Sequence, residues 1–300
     1  MLLLAIAGFV TGCLHEPTLA EPAAVEPAEA FAPLPQPGPD DWLANHAEPG
    51  QTAAQFAEHA NCPTAERRVI YLQPVGDWPE HAVDLDTLAR FAAAWFQLEV
   101  KTLPPVTVED IAPIIRQRPG AARQLRTDSL LNWLMPRVPA DAFSVLALTG
   151  EDLYPGDGCN FVFGQATFYD RVGVYSVARF DDAFYGGRRT REVTLRRSLK
   201  LVSHEQGHMY GVTHCTAYRC NMNGSNNLSE TDRSPLHLGP VCLEKLRHCG
   251  VDTERRYQEL EAFYRAVGLE EEAGWVAARQ EVTANETSNS AEGAPLEVAR

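Results

Sequence analysis

Residues 204–214 read His-Glu-Gln-Gly-His-Met-Tyr-Gly-Val-Thr-His. Side chains four apart share one face of a helix, so His204 and His208 would present both imidazoles to a single point. Glu205 is rotated by about 100° from His204. That offset takes it out of a ligand set but leaves it beside the open corner of a bound metal. A carboxylate there can accept a proton from zinc-bound water and later pass it to a leaving amine. Catalytic zinc takes three protein ligands and keeps one exchangeable position. The third ligand requires the helix to stop sharply. Gly211 allows this, because glycine tolerates the left-handed conformation that ends helices, and the chain then returns His214 to the same ion. A histidine pair alone is a common accident of polar helices, whereas Gly211 and His214 at fixed offsets remove most accidental matches. The spacing predicts zinc-dependent peptide-bond hydrolysis, with Glu205 as base and a peptide or protein as substrate.

The elements that must carry this site can be read coarsely. Val193, Leu195, Leu199, Leu201 and Val202 predict a largely buried approach helix from about Thr190 to Tyr210. Residues 67–72 form a β-prone run ended by Pro74 and Gly76. Helical apolar spacing marks residues 84–98, with Asp84 or Asp86 as cap, and a second helix is expected over 123–135. Residues 143–149 read as a buried strand followed by a polar turn, and 160–164 and 172–177 as two more strands. Val106–Val108 is a weaker strand candidate. Helices are expected over 252–266 and 269–280, the second anchored by Trp275. Alternating strands and helices predict an α/β (α+β) layer arrangement. Gln206 is expected to find a polar partner inside the fold.

Composition is that of a folded globular protein, 45% apolar and 22% charged. The net charge of −14 belongs to the ends: residues 1–58 hold eight acidic groups and no Lys or Arg, and residues 267–300 hold seven against two arginines. The body is close to neutral and lacks a basic patch, which excludes a nucleic-acid surface. Residues 1–13 end an apolar run with Val-Thr-Gly-Cys, similar to a bacterial lipobox in which Cys13 would be lipidated. Residues 14–58 are rich in Pro, Ala and Glu and read as a disordered tether. The folded body is expected over 59–281, with order beginning near Cys62 and a disordered tail over 282–300. Together these predict a monomer, exported and held at a bacterial envelope only by its lipid anchor. The alternative reading is a non-catalytic zinc-containing surface lipoprotein serving as a binding module. A purely structural site, however, would more often use four protein ligands and have no need of Glu205.

The run His-Glu-x-x-His-x-x-Gly-x-x-His, followed at once by Cys215 and then by Cys220-Asn221-Met222, resembles the archaemetzincins among the metzincin zinc peptidases. Thr149–Tyr154, Asn160–Ala166 and Ser176–Phe180 carry the same resemblance. It implies a metzincin-like mixed twisted sheet with a long active-site helix and a smaller C-terminal helical part. It also makes Met222 the residue of a Met-turn beneath the zinc, and it places an extended substrate beside an edge strand, for which Val172–Ser176 is the candidate. The family uses four cysteines for a second, structural zinc. Here Gly239 stands where one of them is expected. Cys249 could fill the vacancy beside Cys215, Cys220 and Cys242, or these four could form disulfides; the spacing of Cys215 and Cys220 favours zinc. Cys62 and Cys159 could then pair with each other, connectivity not being readable from sequence alone.

Overall fold

A computed structural model describes residues 31–156, 158–188 and 190–280. Cys13, with the apolar run before it, and the tail from 282 lie outside the described residues. Among those described, no helix is long and apolar enough to cross a membrane.

Two short helices, α1 (Trp42–Asn45) and α2 (Ala53–Ala57), precede the first strand. The central sheet then builds from β1 (Val69–Val75), β2 (Glu99–Thr102), β5 (Ala142–Thr149), β7 (Gly164–Ala166) and β8 (Val172–Ser176), in the order β2-β1-β5-β8-β7. Four strands are parallel, and β7 runs antiparallel at one edge. A small second sheet joins β3 (Ile115–Arg116), β4 (Gln124–Arg126) and β6 (Asp152–Tyr154).

Side-chain alternation along the strands supplies two cores, as a sheet covered on both faces requires. Ile70, Leu72, Leu146, Leu148 and Tyr175 face α3 (Leu85–Phe96) and the long α6 (Arg191–Met209). Val69, Tyr71, Val145 and Val174 face α5 (Thr127–Leu134) on the other side. The C-terminal helices α7 (Leu228–Arg233), α8 (Pro240–His248) and α9 (Thr253–Val267) follow, and residues 270–280 are also helical. Asp84 caps α3 by accepting from the Thr87 amide at 2.8 Å. The expected mixed fold, long helix and C-terminal helical part are all present.

Several expectations require correction. The supposed tether is folded from residue 31 onward: Phe31 and Phe56 are buried, and Thr52 and Gln55 form a reciprocal capping box at the start of α2. Bulk composition hid this local signal. The first strand runs through Pro74, whose carbonyl accepts from Val106 beyond the last paired residue of β2, so the missing donor breaks no ladder. Residues 106–108 are not a strand: Val106 makes one isolated bridge, and Thr107 caps α4 (Val108–Ile111). The helix expected from 123 starts at Thr127, because residues 124–126 pair as β4. The polar segment after β5 contains β6, whose Asp152 is buried by bidentate contacts from Arg179 at 2.7 Å. Finally, Val172–Ser176 is interior, between β5 and β7; on that side of the sheet the edge is Gly164–Ala166, and β2 forms the other edge.

Candidate metal centre and active site

The long helix α6 carries His204, Glu205 and His208 through the centre of the molecule. It is fixed to the sheet by a buried pair: Ser144 on β5 and the amide of Gln206 lie 2.7 to 2.9 Å apart. The polar residue at 206 thus finds its partner within the fold. Farther up the helix, Arg197 binds Asp232 at 2.7 and 2.8 Å and Asp182 at 2.7 Å, tying α7 to the helix. The helix ends as Gly211 predicts. Gly211 has φ +93°, its amide donates to the His208 carbonyl at 2.8 Å, and the Val212 amide donates to Gly207 at 3.2 Å. This is a Schellman stop, and it turns the chain back so that His214 faces the helix.

The three imidazoles converge, with ligand atoms all within 4.8 Å of one another. His204 Nδ1 lies 2.8 Å from the Asn221 carbonyl and His208 Nδ1 lies 2.8 Å from the Val212 carbonyl. A carbonyl can only accept, so each ring holds its proton on Nδ1 and leaves Nε2 bare. The two bare Nε2 atoms stand 3.0 Å apart. Two facing lone pairs at that distance repel unless a cation lies between them. The donor set therefore fits a divalent ion such as zinc, whose bonds to imidazole are about 2.0–2.1 Å long. Burial, with the neighbouring His214, pushes His204 down to about 3. His208 is held well below its ordinary value by burial and by the other two histidines. Both rings stay neutral near pH 7, as ligands must.

Glu205 is 4% exposed, and burial raises its carboxyl to about 8. It is pressed against Gly164 of β7: a Cβ at residue 164 would stand 2.5 Å from Glu205 Oε1. Glu205 and strand β7 therefore meet this closely only because residue 164 is glycine. Met222 is buried, and its sulfur would lie 2.6 Å from a Cβ at Gly207, on the turn between the two helical histidines.

A cleft of about 530 Å³ opens over the trio. Its walls include Phe161, Phe163 and Phe168, and Phe168 meets His208 edge to face at 5.6 Å. Lys200, one turn before His204, also lines it and donates to the carbonyls of Thr231 and Asp232. Burial lowers this lysine to about 8.

Four cleft residues, Trp42, Glu48, Pro49 and Gly50, belong to the stretch expected to be a tether. Glu48 receives His214 Nδ1 at 2.9 Å and Trp42 Nε1 at 2.9 Å, and Trp42 meets the His214 ring edge to face at 5.3 Å. Burial works to raise the Glu48 carboxyl, but the His214 and Trp42 hydrogen bonds outweigh it and hold it below the usual carboxylate range. Trp42, the capping-box spacing of Thr52 and Gln55, and the apolar Phe31 and Phe56 are the sequence signals that this stretch is structured.

The cysteines separate into two groups. Cys62 is bonded to Cys249, and Cys159 is free and exposed, which corrects the expected Cys62–Cys159 pair. Cys215, Cys220 and Cys242 are buried and free, with sulfurs within 4.8 Å of one another. Cys249 cannot join them. It lies seven residues beyond Cys242, at the far end of α8, about 10 Å along the axis. The thiols hydrogen-bond to one another, and bonds from Cys220 and Cys242 hold Cys215 well below its ordinary value. They offer three corners of a tetrahedral thiolate site. At the place of a fourth, the Gly239 amide donates to Cys220 Sγ at 3.1 Å.

Residues 130–248 match the Peptidase family M54. Archaemetzincin-2 of Pongo abelii is 34% identical over 272 residues, a match that covers 79% of this chain and 76% of that protein. Archaemetzincin-1 of Homo sapiens is 33% identical over 264 residues, covering 76% of this chain and 52% of that protein. The solved archaemetzincin of Archaeoglobus fulgidus, complexed with malonate, is 29% identical, with a TM-score of 0.48 over 59% of this chain and 99% of that one. A mixed α/β fold with a histidine trio on and just beyond its long helix marks a zinc-dependent metallopeptidase. Its sequence relatives make the assignment specific: the chain belongs to the archaemetzincins, peptidase family M54.

Proposed function

We propose that His204, His208 and His214 hold the catalytic zinc and that Glu205 activates the attacking water. The carrying observation is the pair of bare Nε2 atoms 3.0 Å apart with a buried carboxyl one residue along the helix. Bound by these three histidines, zinc would polarise the scissile carbonyl, lower the pKa of a coordinated water to about 7 and stabilise the developing oxyanion. Glu205 takes the proton from that water and delivers it to the leaving amine, a role suited to a carboxyl that burial moves towards neutrality. The substrate lies extended along the free edge of β7, bonding through its backbone. The contact between Gly164 and Glu205 supports this placement, because it sets the base beside that edge.

The test is zinc stoichiometry alongside a peptide-library cleavage assay, comparing wild type with Glu205→Ala. The variant should keep its metal and lose turnover by about 10²–10⁴-fold, the usual worth of a general base. Equal turnover in both proteins would remove Glu205 from this role.

Two lesser parts of the reading have their own supports. The clustered thiols of Cys215, Cys220 and Cys242 favour a second, structural zinc; Cys215→Ser should then lower the metal content of the protein from two to one. The Cys62–Cys249 disulfide favours export to an oxidising compartment, where such bonds persist. Lipid attachment at Cys13 belongs to the same reading, and mass spectrometry of the mature N-terminus tests it.

A further inference from the structure

The three imidazoles are oriented by unlike partners. His204 and His208 each present Nδ1 to a backbone carbonyl, from Asn221 and Val212. Among the described residues, no such carbonyl meets His214. Its Nδ1 lies 2.9 and 3.0 Å from the two oxygens of Glu48, a residue 166 positions earlier in the chain. We propose that Glu48 is a positioning residue for the metal centre: the N-terminal segment straps across the cleft to orient His214 towards zinc. The inference rests on the reading of His214 as a zinc ligand.

Several independent contacts hold the carboxylate where this role needs it. Trp42 Nε1 donates to Glu48 Oε1 at 2.9 Å, and the Trp42 amide is itself held by both oxygens of Glu230 at 2.8 and 3.0 Å. Gly224 leaves room for the indole, since a Cβ there would come within 2.4 Å of Trp42 Cδ1. On the far side of Glu48, Gln51 spans the loop that carries His214, donating to the Gly211 carbonyl at 3.1 Å and accepting from the Thr213 amide at 3.3 Å. The strap is thus pinned on both sides of residue 48.

The chemistry follows from what a carboxylate can do. It accepts only, so it keeps the His214 proton on Nδ1 and leaves Nε2 for the metal. It also fixes the plane of a ring that sits on a loop, not on the helix. Partners of this kind are typically worth 10–100-fold in metal affinity. The negative charge makes the imidazole a stronger donor, so Glu48→Gln, which keeps an acceptor oxygen, should lose less than Glu48→Ala.

The experiment uses the full chain, with zinc affinity measured by chelator competition and the visible spectrum of the cobalt-substituted protein. Glu48→Ala should weaken zinc binding 10–100-fold and shift the cobalt bands, and Glu48→Gln should fall between it and wild type. Gln51→Ala, which loosens the same loop without touching His214, should shift the cobalt bands much less than Glu48→Ala does. Wild-type zinc affinity and an unshifted cobalt spectrum in both Glu48 variants would overturn the proposal, as would band shifts in Gln51→Ala as large as those in Glu48→Ala. Should Glu48→Ala fail to fold, Glu48→Gln decides alone. His214→Ala separates the two levels: undiminished zinc binding there overturns the ligand reading itself. Lost binding there, with intact binding in the Glu48 variants, overturns only the role of Glu48.

Discussion

Glu205 is buried where its own charge is opposed, and that has a measurable consequence in metal-free protein. Burial raises its carboxyl from 4.5 to about 8. Between those values the native state keeps a proton that the unfolded chain has released, so the stability Glu205 contributes is full below 4.5 and is lost as pH rises to about 8. The neutral helix histidine works in the opposite direction. His204 falls from 6.5 to about 3, so its contribution is present above 6.5 and is lost as pH falls through 3. Comparing chelator-treated wild type with Glu205→Gln cancels the histidine effect. The melting temperature of wild type should fall relative to the variant as pH rises from about 4.5 to about 8. Parallel curves would show that burial does not perturb this carboxyl. At this scale the sequence was most informative: the spacing that predicted three converging imidazoles and a glycine stop is matched by the His204, His208 and His214 cluster and the positive φ of Gly211, with Glu205 buried one residue along. Glu48 and Gly164 were not legible as site residues, because each acts through a neighbour far away in the chain.

The candidate site is made where elements meet, and β7 meets α6 closely at Gly164 and Glu205. Gly164 has no positive φ, so an alanine there would not strain the backbone; its Cβ would instead stand 2.5 Å from Glu205 Oε1 and 2.7 Å from Cδ. Gly164→Ala should displace the base by a fraction of an ångström to an ångström and lower kcat by about 10²-fold, since misplacement on that scale costs about that much. Zinc content should be unchanged, which metal analysis of the purified variant checks; wild-type kcat would show that the carboxylate yields without consequence. Long elements were readable because their apolar period repeats several times, as in α3, α6 and α9. The two- to four-residue strands β2, β3, β4 and β6 carry too few alternations for a pattern, and only pairing with neighbours makes them strands. The same reason hid the edge: sequence marks Val172–Ser176 as β-prone but says nothing about which side of it is covered.

At the scale of the whole molecule, segments remote in the chain are drawn together. The segment from residue 31 buries Phe31 and Phe56, bridges to Tyr218 through Pro33 and crosses the cleft. The Cys62–Cys249 bond then joins positions 187 residues apart. Closing so long a loop restricts the unfolded chain, so Cys62→Ser should cost about 2–5 kcal/mol. Denaturant unfolding of wild type with and without reductant provides the measurement. A reductant-insensitive midpoint would mean that the bond does not form or contributes nothing.

Taken alone, the sequence determined the metal chemistry and the broad fold, because both are written in local periods: ligands four apart on a helix, a glycine at the stop, and alternating strands and helices. Tertiary structure decided which cysteine pairs with which, which strand is the edge, and that an acidic, proline-rich leader supplies the carboxylate beside His214. Those outcomes depend on distances between residues remote in the chain. Composition averages over the single Trp42 and Glu48 contacts that give the leader its place.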